Sequence, residues 1–234
     1  MFRFSKRLAS FFSTSSSPAA YVKNEYQIAQ NMQHTSSLPK PDPWSVEAVI
    51  DGLPANTTKF SMTEKPESPL QFFHYLERLK IEKREGWRRF GISTGESIAD
   101  HQWRMALIAM QAPKSLAARI DMFKCVRLCL VHDIAEGLVG DLTPVDGVPK
   151  QEKSRREASV VDDLLKNSLL SRYNGGANGA TLSADWWEYE KGETLEAKFV
   201  KDVDKIELLL QMVEYERTYD MLDLVTLAVD VCEV

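Results

Sequence analysis

The sequence predicts an all-α protein, and three observations support this fold class. Apolar residues recur at helical spacing in several segments, first between Leu70 and Leu79. A helix-starting signal precedes that segment, because serine followed by proline at positions 68–69 suits an N-cap and a first helical residue. No segment shows the alternation of a β-strand. We therefore expect a single helical bundle, since 234 residues suffice for one domain of ordinary size.

Composition limits the classes of function. A hydrophobic content of 44% with 27% charged residues is typical of globular proteins. The net charge of −5 argues against a general affinity for nucleic acid, although a small basic pocket is compatible with it. The three cysteines, Cys125, Cys129 and Cys232, lack metal-finger spacing and indicate a reducing compartment. No apolar run approaches the roughly 18 residues of a membrane span, so we expect no membrane partner.

The N-terminus has a composition of its own. Residues 1–21 contain Arg3, Lys6 and Arg7 but no acidic residue, and they are rich in phenylalanine and serine. Such a basic, serine-rich and acid-free start is typical of an organelle transit peptide, most simply a mitochondrial one, which we place at residues 1–25. The alternative is a disordered basic tail that is never cleaved, in which case the protein is cytoplasmic.

The ordered domain is predicted to begin only after a linker. Residues 26–67 are polar and interrupted by prolines, which favours a mostly disordered extension with one short helix near Trp44–Ile50. The domain then covers residues 68–218. Residues 219–234 form a short hydrophobic run, which we interpret as a divergent C-terminal helix.

Five helices are predicted within this domain. They begin near Pro69, Ser97, Asp121, Lys150 and Thr194, with the third ending near Leu138 and the fourth near Leu170. Residues 171–184 are predicted to form a loop, because glycine and asparagine dominate part of it. The inward stripe of the fifth helix is expected to consist of Phe199, Val203, Ile206, Leu210 and Val213.

Two apolar helices carry histidines that indicate a shared site. His132 is followed closely by Asp133 and Glu136, and unpaired charge at the end of a buried helix costs several kcal/mol. A bound divalent cation offsets that cost. His101 lies on the apolar face of the preceding helix, where a lone histidine is more often a core residue than a ligand. Mixed imidazole and carboxylate ligation suits manganese, iron, cobalt, zinc or magnesium.

A basic and aromatic segment, residues 83–91, follows the first helix. It carries Lys83, Arg84, Arg88 and Arg89 around a tryptophan. The common interpretation of such a run is a solvated connection. The alternative is an anion pocket, because guanidinium groups bind phosphate through two parallel hydrogen bonds.

Five blocks of sequence, in order, resemble the 5′-deoxynucleotidase branch of the HD-domain metal-dependent phosphohydrolases. The resemblance covers roughly residues 68–216 and is supported by the histidine-aspartate pair at 132–133. The blocks are Lys83–Trp87, Glu96–His101, Val131–Glu136, Gly140-Asp141 and Glu196–Lys201.

The resemblance implies hydrolysis of deoxyribonucleoside 5′-monophosphates to deoxynucleoside and phosphate, with one divalent metal ion as cofactor. It implies that Glu136 carries a proton and that the substrate is a small nucleotide, while pairing of the chain into a homodimer stays open. The implied metal ligands are His101, His132, Asp133 and Asp204, and the implied substrate-binding residues are Arg84, Trp87, Arg88, Arg89, Glu96 and Asp141.

Two alternatives accompany this interpretation. The same chemistry suits another nucleotide, such as a deoxynucleoside triphosphate or a guanosine tetraphosphate alarmone. A hypothesis of another class is a binding module in which the metal is structural, although such a site has no use for the additional carboxylate of Glu136. The chain also departs from its relatives by carrying Phe90 where they have an arginine, which leaves the phosphate-binding arginine open.

Overall fold

The computed structural model describes residues 44–219, and helices form the regular structure of this part of the chain. The described residues contain no β-strand, which confirms the predicted all-α fold. The α-helices are α1 (Val46–Gly52), α2 (Leu70–Ile81), α3 (Glu85–Arg89), α4 (Ile98–Ala109), α5 (Lys114–Ala117), α6 (Met122–Val131), α7 (Glu136–Val139), α8 (Lys150–Ala158), α9 (Ala177–Lys191) and α10 (Leu195–Thr218). Two 3₁₀ segments (Pro144–Asp146 and Tyr173–Gly176) and a π-helix (Ser159–Leu169), which continues α8, complete the described regular elements.

Helices α4, α6 and α10 pack on one another. Helix α4 lies along α6, and α10 packs against both. Met105, Leu128 and Val200 are fully buried where these helices meet. A second apolar cluster, which includes Tyr75 and Leu164, joins α2 to the π-helix. The two clusters hold α4, α6 and α10 rigidly, so side chains that project from them have fixed positions.

Side-chain caps fix where these helices begin. Ser97 and Asp100 form a reciprocal capping box at the start of α4. Asp121 accepts a hydrogen bond from the amide of Lys124 at the start of α6, and Thr194 caps α10 in the same way. The N-cap residues are Ser97, Asp121 and Thr194, which confirms the helix starts predicted there.

The prediction of one continuous helix from Asp121 to Leu138 is wrong. Helix α6 ends at Val131, residues 132–135 form turns, and α7 begins at Glu136. In the turn, the amide of Ile134 donates to the carbonyl of Val131 at 3.0 Å, which is the tighter spacing of a 3₁₀ turn. The buried Tyr75 hydroxyl donates to the Ile134 carbonyl at 2.6 Å and supports this turn from α2. His132 therefore stands at the end of a helix and not within one.

The predicted loop at residues 171–184 is also wrong from Ala177 onward. Gly176 adopts φ 82°, a left-handed conformation that glycine tolerates, and α9 starts immediately after it. A Cβ atom at Gly179 would come within 3.0 Å of the Lys166 Cα atom. The absence of a side chain at Gly179 lets α9 pack closely on the π-helix, so this glycine of the predicted loop serves a helix contact.

The expected linker does not extend through residues 44–67. The short helix predicted near Trp44–Ile50 is present as α1, and Ser45 caps it. Val46, Ile50 and Phe60 are buried in the apolar cluster around Tyr75. The segment is ordered because these few apolar residues reach the core between polar and proline-rich stretches. The rest of the predicted linker, the transit peptide and residues 220–234 lie outside the described residues.

The predicted inward stripe of the last helix is rotated. Ile206 and Leu210, assigned to the core, are 47% and 46% exposed, whereas Glu207 is fully buried. Polar side chains on the inner face of α10 make buried hydrogen bonds, which a pattern of apolar residues does not reveal. Within the described residues, no helix is long and apolar enough to cross a membrane.

Replacing Tyr75 with phenylalanine tests the support of the turn after α6. The substitution keeps the ring in the core but leaves the Ile134 carbonyl without its donor, which costs about 1–2 kcal/mol of unfolding free energy. Urea unfolding followed by circular dichroism measures this loss. Phe73→Leu on the same helix is the control, because Phe73 is 57% exposed and its replacement is expected to change stability by less than about 0.5 kcal/mol. Equal stability of the two variants would contradict the interpretation.

Candidate metal centre and adjoining cavity

Two buried histidines face each other at the centre of the bundle. His101 projects from α4 and His132 follows α6, with ring centroids 5.5 Å apart. The His132 Nδ1 atom donates to the carbonyl of Cys129 at 3.0 Å, and the His101 Nδ1 atom lies 2.5 Å from Glu207 Oε2. A carbonyl and a carboxylate are both hydrogen-bond acceptors, so each Nδ1 is the donor. This tautomer leaves each Nε2 atom with a lone pair.

Carboxylates approach these Nε2 atoms. Asp133 Oδ2 lies 3.1 Å from His132 Nε2 and 3.8 Å from His101 Nε2. Asp204 Oδ1, from α10, lies 3.2 Å from His101 Nε2. Neither Nε2 atom makes a hydrogen bond within residues 44–219, although both are buried. Two orphaned imidazole nitrogens beside two carboxylates fit the donor set that a divalent cation requires.

Further side chains hold the two aspartates in place. Arg84 Nη1 donates to Asp133 Oδ2 at 3.1 Å. The Tyr189 hydroxyl donates to Asp204 Oδ2 at 2.9 Å, and the Tyr189 ring packs 4.8 Å from that of His132. Each of the four groups therefore has a further hydrogen-bond partner, as is general for metal-binding residues whose orientation matters, and in Asp133 that partner contacts the oxygen that also faces the histidines.

The electrostatics of the cluster favour positive charge at its centre. Burial and the Arg84 charge lower the pKa of His101, but the carboxylates of Asp204 and Glu207 raise it to about 9. Burial raises the pKa of Asp204, whereas the two imidazoles bring it down to about 2. The aspartates are thus ionised, and a cation between the histidines meets the same electrostatic demand as a proton.

Glu136 lies beside this cluster without joining it. Lys153 Nζ lies 3.3 Å from Glu136 Oε1 and donates to the carbonyl of Leu142 at 3.1 Å. The other oxygen, Oε2, is buried and has no hydrogen-bond partner in the described part of the chain. Burial, followed by the charges of Asp133 and Asp141, raises the pKa of Glu136 well above its usual value. Glu136 is therefore a buried carboxyl group at the edge of the cluster.

A cavity of about 580 Å³ opens next to the histidines and aspartates. Its lining combines carboxylates, cationic groups and apolar side chains. The cationic residues are Arg84, Arg89, Lys153 and Lys205, and the apolar ones are Trp87, Phe90, Leu142, Pro144, Val145 and Leu208. Such a mixture suits a ligand with one anionic end and one flat, weakly polar end.

Four of the six residues predicted to bind substrate line this cavity, namely Arg84, Trp87, Arg89 and Asp141. Asp141 also accepts a hydrogen bond from the backbone amide of Glu85 at 2.7 Å, which ties the basic helix α3 to the turn after α7. The geometry thus assembles the cavity from segments about 55 residues apart in sequence, in line with the general placement of pockets between helices.

The other two predicted residues stand elsewhere. The side chain of Arg88 is 57% exposed and pairs with Glu85 at 2.9 Å, so it does not line the cavity. Glu96 accepts a hydrogen bond from Trp87 Nε1 at 2.8 Å and holds that ring from behind the wall. Adjacent residues on a short helix point in different directions, and the sequence alone could not decide between Arg88 and Arg89.

Three residues near the site were missed by the sequence reasoning. Glu207 and Tyr189 contact the candidate ligands, and Lys153 contacts Glu136. Glu207 offered a weak signal, because it lies three positions after Asp204 on one helix. Lys153 lies in a predicted helix whose neighbouring residues are mostly charged, and Tyr189 follows the segment predicted as loop, so neither carried a signal.

Comparison with known proteins places these features in a family. The family model described as "HD domain" matches residues 76–227, which is more than half of the chain. The protein named 5′-deoxynucleotidase YBR242W from Saccharomyces cerevisiae is 46% identical over 154 residues, covering 66% of this chain and 63% of the relative. Thus the match spans less than two thirds of that relative's length.

Two further comparisons agree. The S. cerevisiae protein named 5′-deoxynucleotidase YGK1 is 40% identical over 170 residues, covering 73% of this chain and 77% of the relative. A solved structure, a conserved hypothetical protein from Pyrococcus furiosus, aligns with a TM-score of 0.57 and 26% identity, covering 68% of this chain and 88% of the other. The sequence match and the shared helical fold lead to one conclusion: the chain belongs to the HD-domain family.

Proposed function

We propose that this protein is a metal-dependent 5′-deoxynucleotidase that hydrolyses deoxyribonucleoside 5′-monophosphates to deoxynucleoside and phosphate. The observation that carries the proposal is the pair of buried, unpartnered Nε2 atoms of His101 and His132 beside a cavity with cationic and apolar walls. The names of the yeast relatives support the choice of substrate.

His101, His132, Asp133 and Asp204 are the proposed metal ligands. Their converging nitrogen and oxygen atoms suit cobalt, manganese, magnesium, zinc or iron, and the choice among these ions is a matter for measurement. When bound, such an ion supplies a Lewis acid that polarises a phosphoryl oxygen and lowers the pKa of a water molecule.

Arg84 is the proposed phosphate-binding arginine. Its guanidinium has five N–H donors, one of which is used on Asp133, and the residue lines the cavity beside that aspartate. A phosphate between Arg84 and the ligand cluster would face positive charge from the guanidinium and from the bound cation. Phosphoryl transfer depends on such neutralisation of charge. Arg89 is less suited, because Asp146 Oδ1 already lies 2.5 Å from its Nη2 atom.

The nucleoside end is proposed to occupy the apolar side of the cavity. Trp87 and Phe90 line that side, and flat apolar rings suit a nucleobase. We assign the sugar hydroxyl to Asp141, whose carboxylate lies at the same wall.

Glu136 is the proposed proton carrier. In the reaction, a water oxygen bonds to phosphorus while the bond from phosphorus to the 5′ oxygen breaks. One water proton must finally reach the departing 5′ oxygen, and Glu136 borders the cavity with one unpartnered oxygen that can take or give it. Lys153 holds the other oxygen and orients the carboxyl group.

The first test is phosphate release by the purified protein. We expect release from deoxynucleoside monophosphates in the presence of cobalt, manganese or magnesium, and no release after a chelator removes the metal, because the ligand cluster needs its cation. Parallel assays of deoxynucleoside triphosphates and of guanosine tetraphosphate identify the products by chromatography. Triphosphate as a product would favour the alternative substrate, and metal retention without any hydrolysis would favour the scaffold hypothesis.

Glu136→Gln tests the proton step. The amide keeps the shape of the side chain but carries no transferable proton, so we expect turnover to fall at least about 100-fold while metal stays bound. Phosphate release and metal content are measured on the same samples. Glu157→Gln is the matched control, because Glu157 contacts the same Lys153 at 3.5 Å but does not line the cavity. Full activity of the Glu136 variant would remove the proposed role.

We also propose that residues 1–25 direct the protein to mitochondria or another organelle. The support is the basic, acid-free composition of this segment. A fluorescent reporter fused behind residues 1–25 is expected to enter the organelle, whereas a variant with Arg3, Lys6 and Arg7 replaced by serine should stay outside. A cytosolic location of the unaltered fusion would remove this hypothesis. Formation of a homodimer stays a prediction, to be tested by sedimentation.

A further inference from the structure

The strongest unassigned feature is a carboxylate buried behind one of the candidate ligands. Glu207 is fully buried on α10, three residues after Asp204. Its two oxygens have different partners: Oε2 lies 2.5 Å from His101 Nδ1, and Oε1 accepts from Arg104 Nε at 2.7 Å. A buried carboxylate costs several kcal/mol unless it is paired, and a single arginine would already pair it. The contact with His101 therefore needs a reason of its own.

We propose that Glu207 is a positioning residue that fixes the tautomer and orientation of His101 for metal binding. The carboxylate accepts a hydrogen bond from the Nδ1–H group, so the Nε2 lone pair is held toward Asp133 and Asp204. The proposal rests on the metal site of the proposed function. It adds a residue that touches neither the metal nor the substrate and that acts through His101.

Arg104 keeps Glu207 in place. Besides its bond to Glu207, the guanidinium donates to Gln211 Oε1 at 2.9 Å and to Glu214 Oε2 at 2.6 Å. These acceptors lie along one face of α10, so Arg104 of α4 bridges the two helices. The same bridge that joins the helices also orients the carboxylate. Arg104 binds Oε1 of Glu207, and the other carboxylate oxygen, Oε2, is left to face His101.

The two histidines differ in this respect. His132 Nδ1 donates to a neutral backbone carbonyl within its own helix, whereas His101 Nδ1 faces a charged carboxylate from another helix. A carboxylate partner makes an imidazole a more basic ligand than a carbonyl partner does. The Nδ1 partner of His101 therefore depends on the packing of α4 against α10, while that of His132 comes from the preceding turn of α6.

The test measures metal affinity and the protonation of His101 in full-length protein. Isothermal titration with Co²⁺ is expected to give a Kd about 10-fold or more weaker for Glu207→Ala than for the wild type, with Glu207→Gln between them because an amide oxygen still accepts a hydrogen bond from Nδ1. Glu214→Ala is the matched control, since it removes another Arg104 partner on the same helix and is expected to leave the Kd unchanged.

A second measurement does not depend on metal. Nitrogen-15 NMR of histidine-labelled, metal-free protein, recorded at a pH above the His101 pKa so that the ring is neutral, should place the single ring proton of wild-type His101 on Nδ1. Glu207→Gln should keep that signature, whereas Glu207→Ala should lose it. Circular dichroism and melting temperature establish that each variant is folded; if Glu207→Ala does not fold, the glutamine variant and the wild-type spectrum decide the matter.

Three results would overturn the proposal. Folded Glu207 variants that bind Co²⁺ as tightly as the wild type would remove the positioning role and leave the metal site intact. A wild-type His101 without a proton on Nδ1 would remove it as well. Failure of the wild type to bind Co²⁺ would overturn the proposed metal site itself, so the two failures are distinguishable.

Discussion

The arrangement of this domain depends on burying two imidazole nitrogens that have no hydrogen-bond partner within residues 44–219. His101 Nε2 and His132 Nε2 lie inside the bundle with carboxylate oxygens of Asp133 and Asp204 close by. Leaving such groups unsatisfied costs free energy that packing elsewhere must offset. The rigid contact of α4, α6 and α10 supplies that packing, and each candidate ligand has a second partner that fixes its direction.

The end of α6 at Val131 has the largest effect on the local geometry. The turn at residues 132–135 separates His132 and Asp133, which face the cluster, from Glu136, which begins a new helix at the edge of the cavity. One short stretch of sequence can therefore supply two proposed ligands and a separate proton carrier. The Tyr75 hydroxyl, from another helix, supports the turn that makes this division.

The sequence pointed to the candidate metal ligands more readily than to the residues that contact them. His101, His132, Asp133 and Asp204 were proposed because few residue types bind metals and because these four resemble the family's ligand signature. Glu207 and Tyr189 were not, because their partners lie 106 and 15 positions away and their residue types are common on helices. The loop predicted at residues 171–184 failed from Ala177 onward for a related reason, since glycine serves close helix contact as well as turns.

By itself the sequence determined the all-α class, the helix starts, which local caps specify, and the family to which the chain belongs. Those properties follow from interactions between residues close in the chain, or from motifs that can be read directly in the sequence. The tertiary structure alone decided where α6 ends, which arginine lines the cavity, and which buried carboxylate stands behind His101. Each of these depends on contacts between distant segments, whose distances and directions no local pattern encodes. For the stretch from His132 to Glu136, the sequence supplied the residue types. Packing against α2, α4 and α10 placed His132 and Asp133 in the cluster and Glu136 beside it.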